Sequence, residues 1–275
     1  MPDLEEITYS RAATIAAISS YYDFLTKMYL NESKVIHPPS GGWPSIVNAD
    51  PDALRTLGKS DEVLQLLAHL PYIRSPRNWH NDAEAAPECI LAEWQDLIAY
   101  LSPGSVTGGE DMRIASEGAT FASLAPSHVF GLGFGGRDNA VMVLDTKLGI
   151  IHWEDCPARI EWGNWKEQAL YEPDDDVPEE EAHWRYSAAA WAIPDFFEVL
   201  KDQFRTLNWI PISPYTVRSA ASCGGPQEEG MASTLQDIYH EHGWPDLATY
   251  RKAECLEAVK KVLLERYPDS VCIRR

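Results

Sequence analysis

Apolar residues at three- and four-residue spacing predict helices near both ends of the chain. The first predicted helix carries Ile15, Ile18 and Leu25 on one face and ends before the Pro- and Gly-rich loop 38–42. A second, short helix follows residues 59–61, with Ser60 or Asp61 as its N-cap, and stops at Pro71. The amino-terminal part therefore favours helices.

The same spacing predicts three helices in the carboxyl-terminal part. One begins at Pro194, because proline is favoured at the first helical position. After an extended segment at 209–212 and a small, polar stretch at 219–230, a helix covers about residues 233–242. A last helix starts near Asp246 and follows the stop signal 243–245.

The centre of the chain has the pattern of β-strands. Residues 129–134, 140–144 and 149–153 are short apolar or β-branched runs, and the connectors 135–139 and 145–149 have hairpin length. These runs predict an antiparallel meander over about residues 129–153, with helices covering one face. Residues 89–101 fit either a helix or a strand, because short apolar runs do not separate the two.

These elements predict an α+β fold with a central, mostly antiparallel sheet, flanking helices and a helical C-terminal appendage. We assign residues 1–215 to one α+β domain. Residues 216–275 form a linker and C-terminal helices, which we expect to pack on the same domain.

The charge balance narrows the function classes. The chain has 23 Lys and Arg against 42 Asp and Glu, a net charge of −19, which repels nucleic-acid phosphates and anionic lipid. We therefore expect neither a nucleic-acid nor a membrane partner. The acidity serves either solubility or an acidic face for a basic protein partner.

The sequence also favours a cytoplasmic location. The opening Met-Pro-Asp-Leu-Glu-Glu lacks the basic and apolar regions of a secretory signal. The five cysteines are scattered and form no CxxC pair, which is typical of reduced thiols rather than a disulfide framework.

An acidic, aromatic stretch after the meander is the candidate partner-binding surface. Tryptophan anchors and carboxylates together suit recognition of a basic protein, whereas the alternative is that the tryptophans pack beneath a solvated loop. The candidate residues are Trp153, Glu154, Asp155, Trp162, Trp165, Asp174, Asp175 and Asp176.

Asp145, His152 and Glu154 are the alternative site, a pocket beside the sheet. His152 and Glu154 are two residues apart and share a face if they lie on a strand. With a distant histidine such as His183, His152 and Glu154 would match a two-His-one-carboxylate iron site. The His-x-Glu spacing also occurs in zinc deaminases, but the PCxxC that those enzymes require is absent. The competing interpretation is a strand end in water, so we expect no metal and no cofactor.

The remaining motifs favour structure over catalysis. The glycines at 131, 133, 135 and 136 are followed by another strand rather than a helix, which favours a closely packed hairpin over a phosphate loop. There is no GxSxG, HExxH or EF-hand spacing. Catalysis is therefore not expected, although the sequence does not exclude it.

The run from His128 to Trp153, His-Val-Phe-Gly-Leu-Gly-Phe-Gly-Gly-Arg-Asp-Asn-Ala-Val-Met-Val-Leu-Asp-Thr-Lys-Leu-Gly-Ile-Ile-His-Trp, resembles the SUKH superfamily. Pro194-Asp-Phe-Phe-Glu-Val-Leu is similar to its later helix. The superfamily includes a fungal regulator of cell-wall synthesis and bacterial toxin-immunity proteins. The resemblance implies an α+β fold and a regulatory or immunity-like protein-binding role without catalytic residues, and it leaves the C-terminal helices outside.

Overall fold

A four-stranded antiparallel sheet with the order β5-β6-β7-β8 organises the structure, and helices pack on both of its faces. The computed structural model describes residues 4–75, 82–101, 108–119, 122, 124–135, 139–170, 177–186, 188–223, 225 and 227–271, except for the side chains of 180, 183, 184 and 271. The chain is α+β, as its sequence predicts.

The described helices are α1 (Arg11–Met28), α2 (Pro44–Val47), α3 (Pro51–Arg55), α4 (Asp61–His69), α5 (Trp94–Ala99), α6 (Gly108–Glu117), α7 (Ala158–Glu161), α8 (Glu179–Arg185), α9 (Ile193–Arg205), α10 (Met231–Glu241), α11 (Lys252–Arg266) and α12 (Pro268–Val271).

The described strands are β1 (Val35–Ile36), β2 (Tyr72–Ile73), β3 (Glu84–Ala86), β4 (Cys89–Ile90), β5 (Val129–Gly131), β6 (Met142–Asp145), β7 (Ile150–Glu154), β8 (Ala188–Ala192), β9 (Trp209–Pro211) and β10 (Val217–Ser219). Three antiparallel pairs, β1–β2, β3–β4 and β9–β10, accompany the main sheet.

Local signals fix the beginnings of several helices. The Ser60 hydroxyl accepts a hydrogen bond from the Val63 amide at 3.3 Å and caps α4, as predicted. Pro194 lies in the first turn of α9, where its missing N–H costs no hydrogen bond. The last long helix differs from its prediction, because residues 247–249 form a turn and α11 begins only at Lys252.

The predicted meander is present as β5, β6 and β7, and residues 89–101 contain both of the predicted alternatives, β4 followed by α5. Close packing of the glycines is confirmed at Gly131, where a Cβ would lie 2.1 Å from the Ser116 carbonyl oxygen. The fourth strand, β8, is not predicted. Its sequence Ala-Ala-Ala-Trp-Ala has little strand propensity, and pairing with β7 along its whole length decides its conformation.

One hydrophobic core joins the inner face of the sheet to α1, α9 and the C-terminal helices. Phe204 on α9 is fully buried, and its ring centroid lies 5.3 Å from Trp209, 5.8 Å from Tyr29 and 6.2 Å from Phe24. The Phe204 carbonyl also accepts the indole N–H of Trp244 at 3.0 Å. Phe204 therefore links four separate segments of the chain.

The C-terminal helices contact the carboxyl end of α1. The Lys252 ammonium donates hydrogen bonds to the carbonyls of Thr26 at 2.6 Å and Leu30 at 2.7 Å, and the Tyr250 hydroxyl donates to the Met28 carbonyl at 2.9 Å. A cation at this position complements the helix dipole and satisfies terminal carbonyls that have no partner within the helix.

We expect Phe204→Ala to lower the free energy of unfolding by about 3–5 kcal/mol, because truncation of a buried ring loses transfer energy and leaves a cavity. Urea unfolding followed by tryptophan fluorescence measures the loss. Leu264→Ala is the matched control, since Leu264 is 55% exposed, and surface changes stay within about 0.5 kcal/mol. Equal losses in the two variants would contradict the central position of Phe204.

Candidate functional site

The outer face of the main sheet carries the three residues of the alternative site. The register pairs Val143 with His152 and Asp145 with Ile150, and cross-strand partners point to the same side. Asp145, His152 and Glu154 therefore share one face of the sheet, opposite the face that packs on α9.

Asp145 is part of the turn that joins β6 to β7. Its carboxylate is fully buried and accepts hydrogen bonds from the amides of Lys147 at 2.7 Å and Leu148 at 2.8 Å. The other carboxylate oxygen lies 3.6 Å from Nε2 of His128. Burial raises the pKa of Asp145. These contacts give Asp145 a structural role in holding the turn.

His152 is buried beneath α8. It is 1% exposed, and burial together with the nearby charge of Arg185 lowers its pKa to about 3. Arg185 forms a buried ion pair with Glu181 at 2.9 Å on the same helix. Helix α8 thus places a charged pair near the outer face of the sheet, and His152 is neutral there at physiological pH.

Glu154 lines the largest of the described cavities, a groove of about 870 Å³ at the end of β7, whereas Asp145 and His152 line none of those cavities. We call it the sheet-end groove. Its volume is near the top of the range of ~300–1,000 Å³ for ligand pockets. Its apolar side chains include Pro87, Ile114, Val141, Trp153 and Pro157, and its carboxylates are Glu88, Glu154 and Asp155.

The sheet-end groove has an acidic rim, since three carboxylates line it and no described lining residue is Lys, Arg or His. Glu88 and Asp155 both have the left-handed backbone conformation, with φ of 55° and 51°. This conformation is uncommon outside glycine and costs of the order of 1 kcal/mol or more at each position. The two strained residues come from separate segments, the β3–β4 turn and the end of β7, and face the same groove.

A buried ion pair lies at the carboxyl end of α6, beside the groove. The sequence does not predict this pair. Lys59 lies 58 residues before Glu117, and their side chains, 1% and 0% exposed, approach to 2.5 Å. Burial lowers the pKa of Lys59 and raises that of Glu117. Glu117 ends α6, directly before the groove residue Gly118, so the pair connects this wall to the loop preceding α4.

The predicted partner-binding residues lie in different parts of the structure. Glu154 and Asp155 lie on the groove, and Trp153 contributes an edge to it although the ring is 5% exposed and packs on Phe196 and Trp209 at 6.2 Å between ring centroids. Trp162 is 74% exposed. The indole of Trp165 donates to the Ile160 carbonyl at 2.9 Å.

Asp174, Asp175, Asp176 and the side chain of His183 lie outside the described residues. The structure thus brings Trp153, Glu154 and Asp155 together with groove residues that the sequence did not single out. Glu88 and Ile114 are 66 and 40 residues away from Glu154 along the chain, and neither belongs to a motif.

The described residues contain no group of three or more His, Cys, Asp or Glu side chains placed to hold a metal ion. In the same part of the chain no helix is long and apolar enough to cross a membrane. Comparisons with protein-family models, curated proteins and solved structures found no match to this chain.

We expect His152 to make the protein less stable as the pH falls. The folded pKa of about 3 lies below the unfolded value of about 6.5, so the unfolded chain binds the extra proton and stability is lost as the pH falls from about 6.5 towards 3. His152 alone should lower the free energy of unfolding by about 2 kcal/mol between about pH 7.5 and pH 5. Urea unfolding at the two pH values, in wild type and His152→Gln, measures the difference.

Between these two pH values, the free energy of unfolding of His152→Gln should fall by about 2 kcal/mol less than that of wild type, whatever the stability of the variant at pH 7.5. As a check that does not depend on the variant, the imidazole NMR signal of His152 should keep its neutral chemical shift down to about pH 4.5. A titration midpoint near 6.5 would contradict the burial of His152.

We expect Glu117→Gln to lower the free energy of unfolding by about 3 kcal/mol, because it leaves the buried ammonium of Lys59 without its counter-ion. The double variant Lys59→Met, Glu117→Gln removes that charge and should recover at least about 1 kcal/mol. Urea unfolding of both variants and of Lys59→Met alone gives the comparison. Losses that simply add would show that the two side chains do not interact.

Proposed function

We propose that this chain is a non-catalytic, cytoplasmic protein-interaction module that binds a basic segment of a partner protein in the sheet-end groove. The observation that carries the proposal is the groove itself, which combines an apolar lining with three carboxylates. The resemblance to the SUKH superfamily supports the same class of function, a regulatory or immunity-like role through protein binding.

The lining of the groove indicates the chemistry of its occupant. Ile114 is 41% exposed and lies among Glu88, Glu154 and Asp155, so it offers an apolar contact within a negative rim. A complementary segment presents an apolar side chain to the lining and Lys or Arg to the rim. The net charge of −19 would also speed the encounter with a basic partner.

The alternative function, an enzyme or small-molecule-binding protein that uses Asp145, His152 and Glu154, lacks such support. Reaction or binding at these three residues requires that all of them reach a common pocket. Only Glu154 borders a described cavity, whereas Asp145 and His152 are 0% and 1% exposed. Protein binding is therefore the function that we propose.

Selection of random peptides of about a dozen residues on the immobilised full chain tests the proposal. Enriched peptides should place an apolar residue beside Lys or Arg, and their affinity, measured by fluorescence anisotropy, should fall with rising salt. The double variant Glu88→Lys, Glu154→Lys should weaken binding about tenfold or more, because it reverses two rim charges.

Two further variants distinguish binding in the groove from nonspecific attraction to the negative charge of the chain. Ile114→Asp removes the apolar contact and should also weaken binding. Glu257→Lys, Glu265→Lys on the exposed face of α11 makes the same change in net charge as the rim variant, so it is the matched control and should have little effect. Enrichment of peptides without positive charge would contradict the proposal. So would binding that is unchanged in both the rim variant and Ile114→Asp, or no enrichment at all.

A further inference from the structure

A second cavity, of about 270 Å³, lies beside β3 and β10. Pro87 and Glu88 line both this cavity and the sheet-end groove, so the β3–β4 turn lies between the two. Part of its wall is apolar and includes Ile212, Val217 and Leu263. We call it the β3–β10 cavity.

One wall of the cavity is acidic. Asp82, Glu84 and Glu88 come from β3 and its two flanks. Glu84 is 2% exposed, and its carboxylate accepts a hydrogen bond from the Val217 amide at 2.7 Å, which joins this wall to β10. Asp82 is 7% exposed and accepts a hydrogen bond from the Ser75 hydroxyl at 2.7 Å. These bonds hold the two buried carboxylates in place.

Another wall of the cavity carries hydrogen-bond donors from β10 and the segments after it. The guanidinium group of Arg218 donates to Glu228 at 2.9 Å, and the side chain remains 21% exposed. A guanidinium group has several N–H donors in a planar fork, so Arg218 can bind a second carboxylate beside Glu228. Ser219, Ser222 and Ser270 line the same part of the cavity.

Opposite charges therefore line one small cavity. The acidic wall attracts a cation that the guanidinium repels, and an anion meets the reverse arrangement. A molecule with an ammonium group and a carboxylate on the same carbon gains from both walls. Glu88 also has the left-handed backbone conformation, with φ of 55°, and such strained residues cluster at functional sites.

We infer that the β3–β10 cavity binds a free α-amino acid in its zwitterionic form. The ammonium group lies against Glu84 and Glu88, the carboxylate binds Arg218, and an apolar side chain contacts Ile212 and Leu263. A residue inside a peptide lacks both charges, so the ligand is the free amino acid. This site does not depend on the function proposed for the sheet-end groove.

The volume limits the side chain of the ligand. At about 30 Å³ per water molecule in the liquid, 270 Å³ corresponds to about nine waters, and thus to a ligand with a similar number of non-hydrogen atoms. Leucine has this size, whereas tryptophan is too large. The apolar part of the wall suits a branched aliphatic side chain, which is removed from water on binding.

Binding of four probes to the full chain, measured by NMR chemical-shift titration, tests the inference. The titrations are done at about pH 6, where the amines are protonated. Leucine should bind at least about tenfold more tightly than leucinamide, which lacks the carboxylate, and than 4-methylpentanoate, which lacks the ammonium group, since hydrogen bonds to charged groups are the stronger ones. Glycine, which lacks the apolar side chain, should bind at least about tenfold more weakly than leucine.

Variants assign each charge of the ligand to a wall. Arg218→Gln should weaken binding of leucine about tenfold but should not weaken binding of leucinamide, which has no carboxylate to lose a partner. The double variant Glu84→Gln, Glu88→Gln should weaken binding of leucine and leucinamide about tenfold, but not that of 4-methylpentanoate. Glu88→Gln alone, at the exposed turn, gives the same test with a smaller effect if the double variant fails to fold.

Further variants locate the site. Thr216→Trp places a large ring in the wall of the cavity and should abolish binding of leucine. Lys261→Gln and the double variant Glu257→Gln, Glu265→Gln repeat the two changes in net charge at exposed positions outside the cavity, and both should bind leucine as wild type does.

Equal affinity for leucine and either of its single-charge analogues would overturn the inference, and this comparison needs no variant. The absence of leucine binding up to about 10 mM would do the same. Leucine binding that is unaffected by both Arg218→Gln and Thr216→Trp would place the ligand elsewhere and also overturn it.

Discussion

The packing of α9 against the inner face of the four-stranded sheet is the contact on which the rest of the structure depends. Phe196 lies 6.0 Å from Trp191 and 6.2 Å from Trp153, measured between ring centroids, and so joins the helix to β8 and β7. The next residue, Phe197, contacts Tyr21 on α1 at 5.4 Å. Phe196 therefore connects α9 to the sheet, and Phe197 connects α9 to α1. Large aromatic rings bury much apolar surface in such contacts.

The inner face takes the large aromatic side chains, whereas the outer face combines buried polar residues with a small apolar cluster around Val129 and Val143. Asp145 and His152 lie there beneath α8, whose Arg185–Glu181 ion pair is nearly buried. The neutral state of His152 and the hydrogen bonds of Asp145 reduce the cost of burial. This layer resembles a catalytic cluster in sequence but is closed to solvent.

Helix α6 separates two acid-lined cavities. Met112 borders a cavity of about 270 Å³ beside α5, whereas Ile114, two residues later, borders the sheet-end groove, since residues two apart point to different sides of a helix. The Lys59–Glu117 ion pair anchors the carboxyl end of this helix. Both cavities combine apolar walls with carboxylates.

The sequence by itself determined the elements whose signals are local. Short apolar or β-branched runs with connectors of hairpin length indicate β5 to β7. Ser60 and Pro194 indicate the starts of α4 and α9, and these elements suffice for the α+β class. It also placed Glu154 and Asp155 in the candidate surface. Only the tertiary structure decided that an alanine-rich segment becomes β8, because the pairing with β7 outweighs its propensity.

Tertiary structure likewise decided which functional residue types reach solvent. Trp153 and Trp162 look alike in the sequence, yet one is 5% and the other 74% exposed. Glu88 and Ile114 join Glu154 in one groove only because the chain folds three distant segments together. Spacing along the chain carries no information on such long-range neighbours, since it reports only local periodicity and caps.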